Sequence, residues 1–415
     1  MSKLAILGGK KTIERPAPHF PWPVITSKIE KVVLKQLHES VSIYNRSGIF
    51  ERFEDQFASF HKRKHGLLTN SGTTAIYSMF IGADLKPGDE VICPAYTFYA
   101  SVTPLFFIGA IPVLCDADES GNIDPDKIEK LITKKTKGIV VTHMWGVPCQ
   151  MDKIVKICKK HKLLLFEDCS HAHGAKYKNK LVGTFGHAAA WSLQGQKIIT
   201  GGEGGILLTN DKKIYDRGLL LGHYNKRCKQ EISKNSSFYK YAVTGMGLKL
   251  RSHPLAVAIA QEQFSHLNKW LKQKRKFAKQ MIKRLEILPG ISCPKLLKNS
   301  NPSWYAFVFQ YNKKELNGLS INKFFEAIQA EGCLEADMPG STCPLNILPL
   351  FQKPGKLFPY YKNKLHYKIG DFPIAEKFFK NAIKLPVWVN SKDLNLVNLY
   401  LDAIEKVINN HKELL

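Results

Sequence analysis

Four short segments of this 415-residue sequence carry side chains whose types and spacing could do chemistry. One runs Ser192-Leu193-Gln194-Gly195-Gln196-Lys197-Ile198-Ile199 and leads into the glycine cluster Gly201-Gly202-Glu203-Gly204-Gly205. A lysine followed by two isoleucines and a glycine turn is unusual for a solvated lysine. Burial lowers a lysine's pKa and frees its amine to act as nucleophile or base. The plainer alternative is a lysine that caps a turn. A second segment is Phe166-Glu167-Asp168-Cys169-Ser170-His171-Ala172-His173. Asp168 follows the apolar run KLLLF, which places its carboxylate at a strand's carboxyl end. There it can pair with a protonated ring nitrogen, or simply cap a helix. A third is Asn70-Ser71-Gly72-Thr73-Thr74, where a strand meets a small-residue turn and a helix opens. Free N–H groups and nearby hydroxyls make such a turn a phosphate site, although it also reads as an ordinary N-cap. The fourth is Pro94-Ala95-Tyr96-Thr97-Phe98, whose aromatics could stack on a planar ring or belong to the core.

Elements on either side must position these groups. From about residue 65 to 210, apolar runs alternate with helical patterns. HGLLTN, DEVICPAY, IPVLCDA, KGIVVTHM, KLLLFEDC, AAAWSL and GGILLTN read as strands. SGTTAIYSMFIGADL, TFYASVTPLFFIGA, DPDKIEKLIT and MDKIVKICKKH read as helices. Near-continuous apolar strands separated by helices predict an α/β fold with a mostly parallel sheet covered on both faces. Ligands of such sheets sit beyond the carboxyl ends of the strands, where the four segments fall. Residues 211–250 read as polar and irregular, and 254–285 as a helical pattern long enough to link two domains. The rest mixes a strand (WYAFVFQY), a helix (SINKFFEAIQAEG) and the loop region Met338–Pro359. The expected organisation is an N-terminal arm (1–30), a large domain (31–262), and a linking helix with a smaller α/β domain (263–415).

Composition narrows the function classes. The net charge is +26, but the basic residues are dispersed over helix faces such as Lys134–Lys137, Lys153–Lys162 and Lys269–Lys283. No zinc-finger or RNP-like module accompanies them, so no nucleic-acid partner is expected. The nine cysteines are irregularly spaced and make no CxxC, which predicts no metal site and free thiols in a reducing compartment. The start, MSKLAILGGKK, is too quickly polar for a signal peptide, and no apolar run reaches membrane-spanning length. A cytoplasmic protein without a membrane partner is expected. Taken together, a phosphate cup, an aromatic plate, an acid at a strand end and a lysine before a glycine turn are the parts a pyridoxal phosphate site needs.

On these residues, the sequence resembles the DegT/DnrJ/EryC1/StrS family of pyridoxal-phosphate-dependent sugar aminotransferases. LAILGG near the start and Lys384–Trp388 near the end extend the resemblance over nearly the whole chain. It implies a fold-type-I architecture similar to aspartate aminotransferase. By resemblance, Lys197 would hold the cofactor as a Schiff base and move the proton. Asp168 would pair with the pyridine nitrogen, Phe98 would stack on the ring, and Gly72, Thr73 and Ser192 would hold the phosphate. His171 stands where many members have glutamine, near the cofactor's 3-oxygen. Lys249 stands where many have an asparagine that reaches the partner subunit's phosphate, and Arg251 is a candidate for an inter-subunit role. The resemblance also implies a homodimer. EDCSHAHGA, LAILGG and Pro339–Phe351 look closest to the branch that aminates scyllo-inosose and 2-deoxy-scyllo-inosose from glutamine. The expectation is an aminotransferase that takes glutamine or glutamate as donor and a keto-sugar or keto-cyclitol as acceptor. Alternatives are a sugar dehydratase, in which a histidine replaces the lysine, and a regulatory or nucleic-acid-binding relative.

Overall fold

The computed structural model describes residues 3–415. Seven strands form the central sheet: β1 (His65–Thr69), β2 (Glu90–Pro94), β3 (Ile111–Cys115), β4 (Thr136–Thr142), β5 (Leu164–Asp168), β6 (Ala188–Ser192) and β7 (Gly205–Thr209). Their spatial order is β1-β7-β6-β5-β4-β2-β3. Every strand is parallel to the others except β7, which runs antiparallel to both of its neighbours. β6 and β7 are buried at every position, as their unbroken small and apolar sequences require of strands covered on both faces. The expected α/β fold with a mostly parallel sheet is what the chain forms.

The helices used below are α1 (Ser27–Glu39), α2 (Gly48–Phe60), α3 (Gly72–Gly82), α4 (Met151–His161), α5 (Lys212–Gly222), α6 (Pro254–Ser265), α7 (Leu267–Leu285), α8 (Ile321–Ala330) and α9 (Leu394–Asn409). In α4, Met151, Ile154, Ile157 and Cys158 face the sheet while the lysines stay outside, the 3.6-residue period of a surface helix. α3 is apolar almost all round and is buried to match, lying between β7, β6 and α5.

A second, three-stranded antiparallel sheet comprises β8 (Ile291–Ser292), β9 (Phe307–Tyr311) and β10 (Ala382–Leu385), with β9 in the middle. Its core unites Phe277 of α7, Phe324 of α8, Ile404 of α9, and Leu4 and Ile13 from the start of the chain. The arm is fastened by His19, whose ring nitrogen Nδ1 meets the Tyr400 hydroxyl at 2.8 Å and whose carbonyl accepts from Trp388 Nε1 at 2.8 Å. The stretch after Thr342 returns to the large sheet, where Leu345, Phe351, Tyr361 and Phe372 join Phe80 and Phe106 in one core. There, strand Thr342–Pro344 pairs with strand Tyr96–Phe98.

Local departures from expectation have physical causes. TFYASVTPLFFIGA does not form one helix. Its first residues are captured by the Thr342–Pro344 strand, and helix begins only at Pro104. DPDKIEKLIT forms two 3-10 turns, Pro125–Lys127 and Glu129–Leu131, too short to meet the nucleation cost of an α-helix. The polar stretch 211–250 contains α5, capped by Asp211, and a further helix Lys226–Glu231. The pattern 254–285 is two helices that meet at His266. The nine cysteines are free, eight of them buried. No described helix is long and apolar enough to cross a membrane.

Candidate active site

The carboxyl ends of β1, β5 and β6 meet beside the start of β7. In register, Gly205 lies between Thr69 and Ser192. Past Thr69 the chain turns at Asn70-Ser71 and α3 opens at Gly72, with Ser71 and Thr74 making a reciprocal capping box at 3.1 Å each way. A Cβ on Gly72 would stand 2.5 Å from Ser192 Cβ, and one on Gly205 would stand 2.2 Å from the Ser71 carbonyl oxygen. Only glycine lets the helix end come this close to β6. The result is a cradle in which first-turn N–H groups and the buried Ser192 hydroxyl share one space, with exposed Thr73 at its rim. The positive end of a helix dipole with a hydroxyl beside it suits a phosphate.

Asp168 ends β5 and is buried. Its Oδ2 accepts from Ser101 Oγ at 2.6 Å and its Oδ1 from the Ser170 amide at 2.9 Å. Ser101 belongs to a closed set of hydroxyls with Thr97 and Thr142, at 2.9–3.1 Å. No cation pairs directly with Asp168 among the described residues. The carboxylate is therefore oriented by hydroxyls and keeps lone pairs for a further donor. Phe98, half-buried, lies between Thr97 and Ser101 in the chain and so stands at the same edge.

Lys197 sits in the loop that leaves β6. Ile198 and Ile199 anchor this loop in the core with Phe264 and Leu271, which accounts for the apolar pair beside a lysine. The Lys197 carbonyl accepts from Trp22 Nε1 at 3.1 Å, and its amide donates to Gln194 at 2.8 Å. Burial pushes the Lys197 amine down to about 8; the Asp168 charge pulls it back up and Lys384 presses it down again. Its Nζ lies 4.7 Å from the centre of the Tyr305 ring. Tyr305 stacks on His171 with centroids 4.1 Å apart and planes 5° apart, and Trp145 lies nearly parallel to both. His171 is buried and Nδ1 has no hydrogen-bond partner. Burial, and then the nearby Lys197 charge, hold its imidazole well below the ordinary histidine range, so the ring is neutral.

Gly72, Ser192, Asp168, His171 and Lys197 thus gather at one sheet edge. Lys249 does not join them. It is exposed, with Nζ 5.7 Å from the Tyr224 ring. Only its neighbour Leu250 approaches the cradle, accepting from the Asn70 amide at 2.8 Å. Arg251 lies 5.3 Å from the Tyr44 ring. Sequence reasoning missed Tyr305, Trp145, Trp22 and the Thr97–Ser101–Thr142 hydroxyls. Thr142 stands in a strand already read, but Thr97 and Ser101 stand in a segment read as helix; Tyr305 and Trp22 carry no local signal.

One trio, His143, Glu167 and Cys169, places possible metal-ligand atoms within 4.8 Å. Its donors are spoken for. Glu167 accepts from the amides of Gly183, Phe185 and Gly186 and lies 3.3 Å from His143 Nε2. His143 Nδ1 accepts from the Cys149 amide, which leaves the proton on Nε2, facing Glu167. The trio braces the sheet.

The residues fit pyridoxal phosphate: a cradle that a single Cβ would fill, a carboxylate held for a ring nitrogen, and a lysine whose amine burial has made nucleophilic. Comparison with known proteins agrees. The profile of the DegT/DnrJ/EryC1/StrS aminotransferase family matches residues 27–400. The spore coat polysaccharide biosynthesis protein SpsC of Bacillus subtilis is 30% identical over 86% of this chain and 89% of its own. A protein of Micromonospora echinospora named as an L-glutamine:3-amino-2,3-dideoxy-scyllo-inosose aminotransferase is 29% identical over 98% of this chain and 97% of its own. The crystal structure of an aminotransferase from Psychrobacter cryohalolentis superposes with a TM-score of 0.84 at 26% identity, over 95% of this chain and all of that one. The chain belongs to the DegT/DnrJ/EryC1/StrS aminotransferase family, enzymes of the fold-type-I class that work with pyridoxal phosphate.

Proposed function

We propose that this enzyme moves an amino group from glutamine or glutamate to a keto-sugar or keto-cyclitol, with Lys197 as the catalytic base. The observation that carries the reading is the Lys197 amine, held at about 8 by burial at the same strand edge as Asp168 and the Gly72–Ser192 cradle. A histidine there would suit dehydration; the lysine favours amino transfer. The inosose-aminotransferase relative, aligned over nearly the full chain, supports a glutamine donor and a cyclitol acceptor.

Pyridoxal phosphate, when bound, supplies an aldehyde carbon that takes up the amino group and a ring that draws off electrons. This chain's residues do the rest. Lys197 is uncharged in a useful fraction near neutral pH, so its Nζ can take a proton and return it. Asp168, fixed by Ser101 and the Ser170 amide, would accept from the ring nitrogen of the bound cofactor. Gly72, Thr73 and Ser192 would hold the phosphate, and Phe98 and neutral His171 would flank the ring.

Exposed apolar side chains support a homodimer. Leu34, Leu37, Val41 and Tyr44 are exposed, as are Tyr241, Val243, Met246 and Leu248. Arg251 over Tyr44 ties the two segments together, and exposed apolar area of this kind marks an interface. Lys249 and Arg251 adjoin these segments, which supports an inter-subunit role for them. The free, buried thiols suit the cytoplasm.

The deciding experiment loads the enzyme with pyridoxamine phosphate and offers a panel of keto-cyclitols and nucleotide-linked keto-sugars. Return of the visible cofactor absorption with one class identifies the acceptor. If no ketone restores it, while glutamine and glutamate leave the pyridoxal form unchanged, the reading fails.

A further inference from the structure

A second cavity, about 760 Å³ in volume, lies at the opposite edge of the central sheet, against α7. Arg63 precedes β1, and Asn210 follows the antiparallel β7, so both stand at the amino ends of the parallel strands. Asp168, Ser192 and Lys197 are at the carboxyl ends and take no part in it. The charged wall holds Lys62, Arg63, Lys176, Lys180 and Arg275. Lys178 also lines it, but is paired with Asp152 at 2.7 Å. No carboxylate lines the cavity among the described residues.

Arg63 and Arg275 show that the wall is built. Arg63 donates from Nε to the Gly183 carbonyl at 3.1 Å and from Nη2 to Gly186 at 2.7 Å. Arg275 donates from Nε to Pro302 at 3.0 Å and from Nη2 to Gly174 at 3.1 Å. Neither has a carboxylate partner among the described residues. In each the backbone fixes one side of the guanidinium and leaves Nη1 without an acceptor among the described residues. Burial pushes both groups below the usual arginine range, and the Glu167 charge pulls Arg63 only part of the way back. Two guanidinium forks immobilised in advance cost little entropy when an anion arrives.

The rest of the wall is partly apolar, with Phe60, Leu181 and Leu271. The volume falls in the range of about 300–1,000 Å³ typical of small-molecule sites. A single carboxylate would leave most of the five cations unmatched, whereas linked phosphates bring several charges in a geometry that arginine forks take bidentately. We propose that this cavity binds a small molecule bearing a diphosphate group, with the phosphates on Arg63, Arg275, Lys62 and Lys176 and an organic portion against Phe60 and Leu271.

Titration calorimetry on the pyridoxal-phosphate-loaded enzyme, at fixed ionic strength, tests this with pyrophosphate, adenosine diphosphate and adenosine. One equivalent of either diphosphate should bind per chain, and adenosine should not bind. Tighter binding of adenosine diphosphate assigns the organic portion to the apolar wall; equal affinity assigns the site to free diphosphate. The double change Lys62→Glu with Lys176→Glu should weaken binding about tenfold or more, while the visible spectrum and half-reaction rate stay as in the parent. Lys62→Gln with Lys176→Gln should weaken it less and in the same sense, which separates charge from misfolding. Absence of saturable binding, or binding that survives both double changes, overturns the proposal.

Discussion

The Lys197 nitrogen stands 4.7 Å from the centre of the Tyr305 ring, and that ring lies flat on His171. An ammonium over an aromatic face is stabilised by about 0.5–2 kcal/mol. Tyr305 therefore favours the protonated amine while burial favours the neutral one, and the two effects together hold the group near the range where it can exchange protons. Burial pushes the Tyr305 hydroxyl itself up to about 12, so the phenol stays neutral throughout.

Tyr305→Phe keeps the ring and should leave kcat/KM within about threefold of the parent. Tyr305→Ala removes both the face under Lys197 and the support of His171. It should lower kcat/KM by about 10- to 100-fold, roughly 1.4–2.8 kcal/mol of transition-state stabilisation. Steady-state rates with the identified substrates check this; an alanine variant as fast as the parent refutes it.

If Lys197 holds the cofactor as proposed, capture of pyridoxal phosphate by the cofactor-free enzyme needs its neutral amine. Its value in the folded chain is lowered, to about 8, so the neutral fraction rises as pH climbs through that value. The second-order capture rate, followed by stopped-flow absorbance, should rise to a plateau with a midpoint near 8. An unperturbed lysine would keep climbing to about 10.4. Lys384 pushes the Lys197 value down, so Lys384→Gln should move the midpoint upward.

Gly72→Ala puts a methyl group 2.5 Å from Ser192 Cβ. Overpacking of this kind costs about 1–3 kcal/mol, and it also fills the phosphate cradle. Thermal melting of the cofactor-free protein should fall, and pyridoxal phosphate should bind more weakly. Adding Ser192→Gly should recover part of the stability and none of the cofactor affinity. Recovery of both would place the phosphate elsewhere.

Lys274 is fully buried, and its Nζ donates to the carbonyls of Trp304 at 3.0 Å and Val387 at 2.6 Å. A neutral amine has two hydrogens and finds two acceptors. Burial lowers its value to about 7, against about 10.4 when unfolded. Between these pH values the unfolded chain holds one more proton, so this group makes stability rise with pH across the window, by up to about 1.4 kcal/mol per unit. Urea unfolding at several pH values should show that slope shrink in Lys274→Met. The variant should also lose about 1–3 kcal/mol for each carbonyl left unpaired.

Much of this site was legible because its key residues close strands or open helices. Asp168, Lys197 and Gly72 lie shortly beyond KLLLF, AAAWS and HGLLT; in each case an apolar run gives the position and a residue of the turn past it gives the chemistry. What stayed hidden depends on partners distant in sequence. Strand Tyr96–Phe98 exists because Thr342–Pro344 pairs with it, and no property of TFYASV announces that. Tyr305 and Trp22 reach Lys197 from the second sheet's side and from the arm, and their neighbours in sequence look like ordinary aromatic packing. Lys249 shows the converse. Its position relative to a motif was readable, but its side chain is exposed and stands apart from the other site residues.

The Trp22 bond to the Lys197 carbonyl has a consequence for the order of events in a newly made molecule. Trp22 is held where it is by an arm whose His19 is clasped between Trp388 and Tyr400. During synthesis, residues 19 and 22 leave the ribosome early, and their clasp emerges hundreds of residues later. Until then the lysine loop lacks one of its fixed points. Uptake of cofactor should therefore lag behind completion of the large sheet.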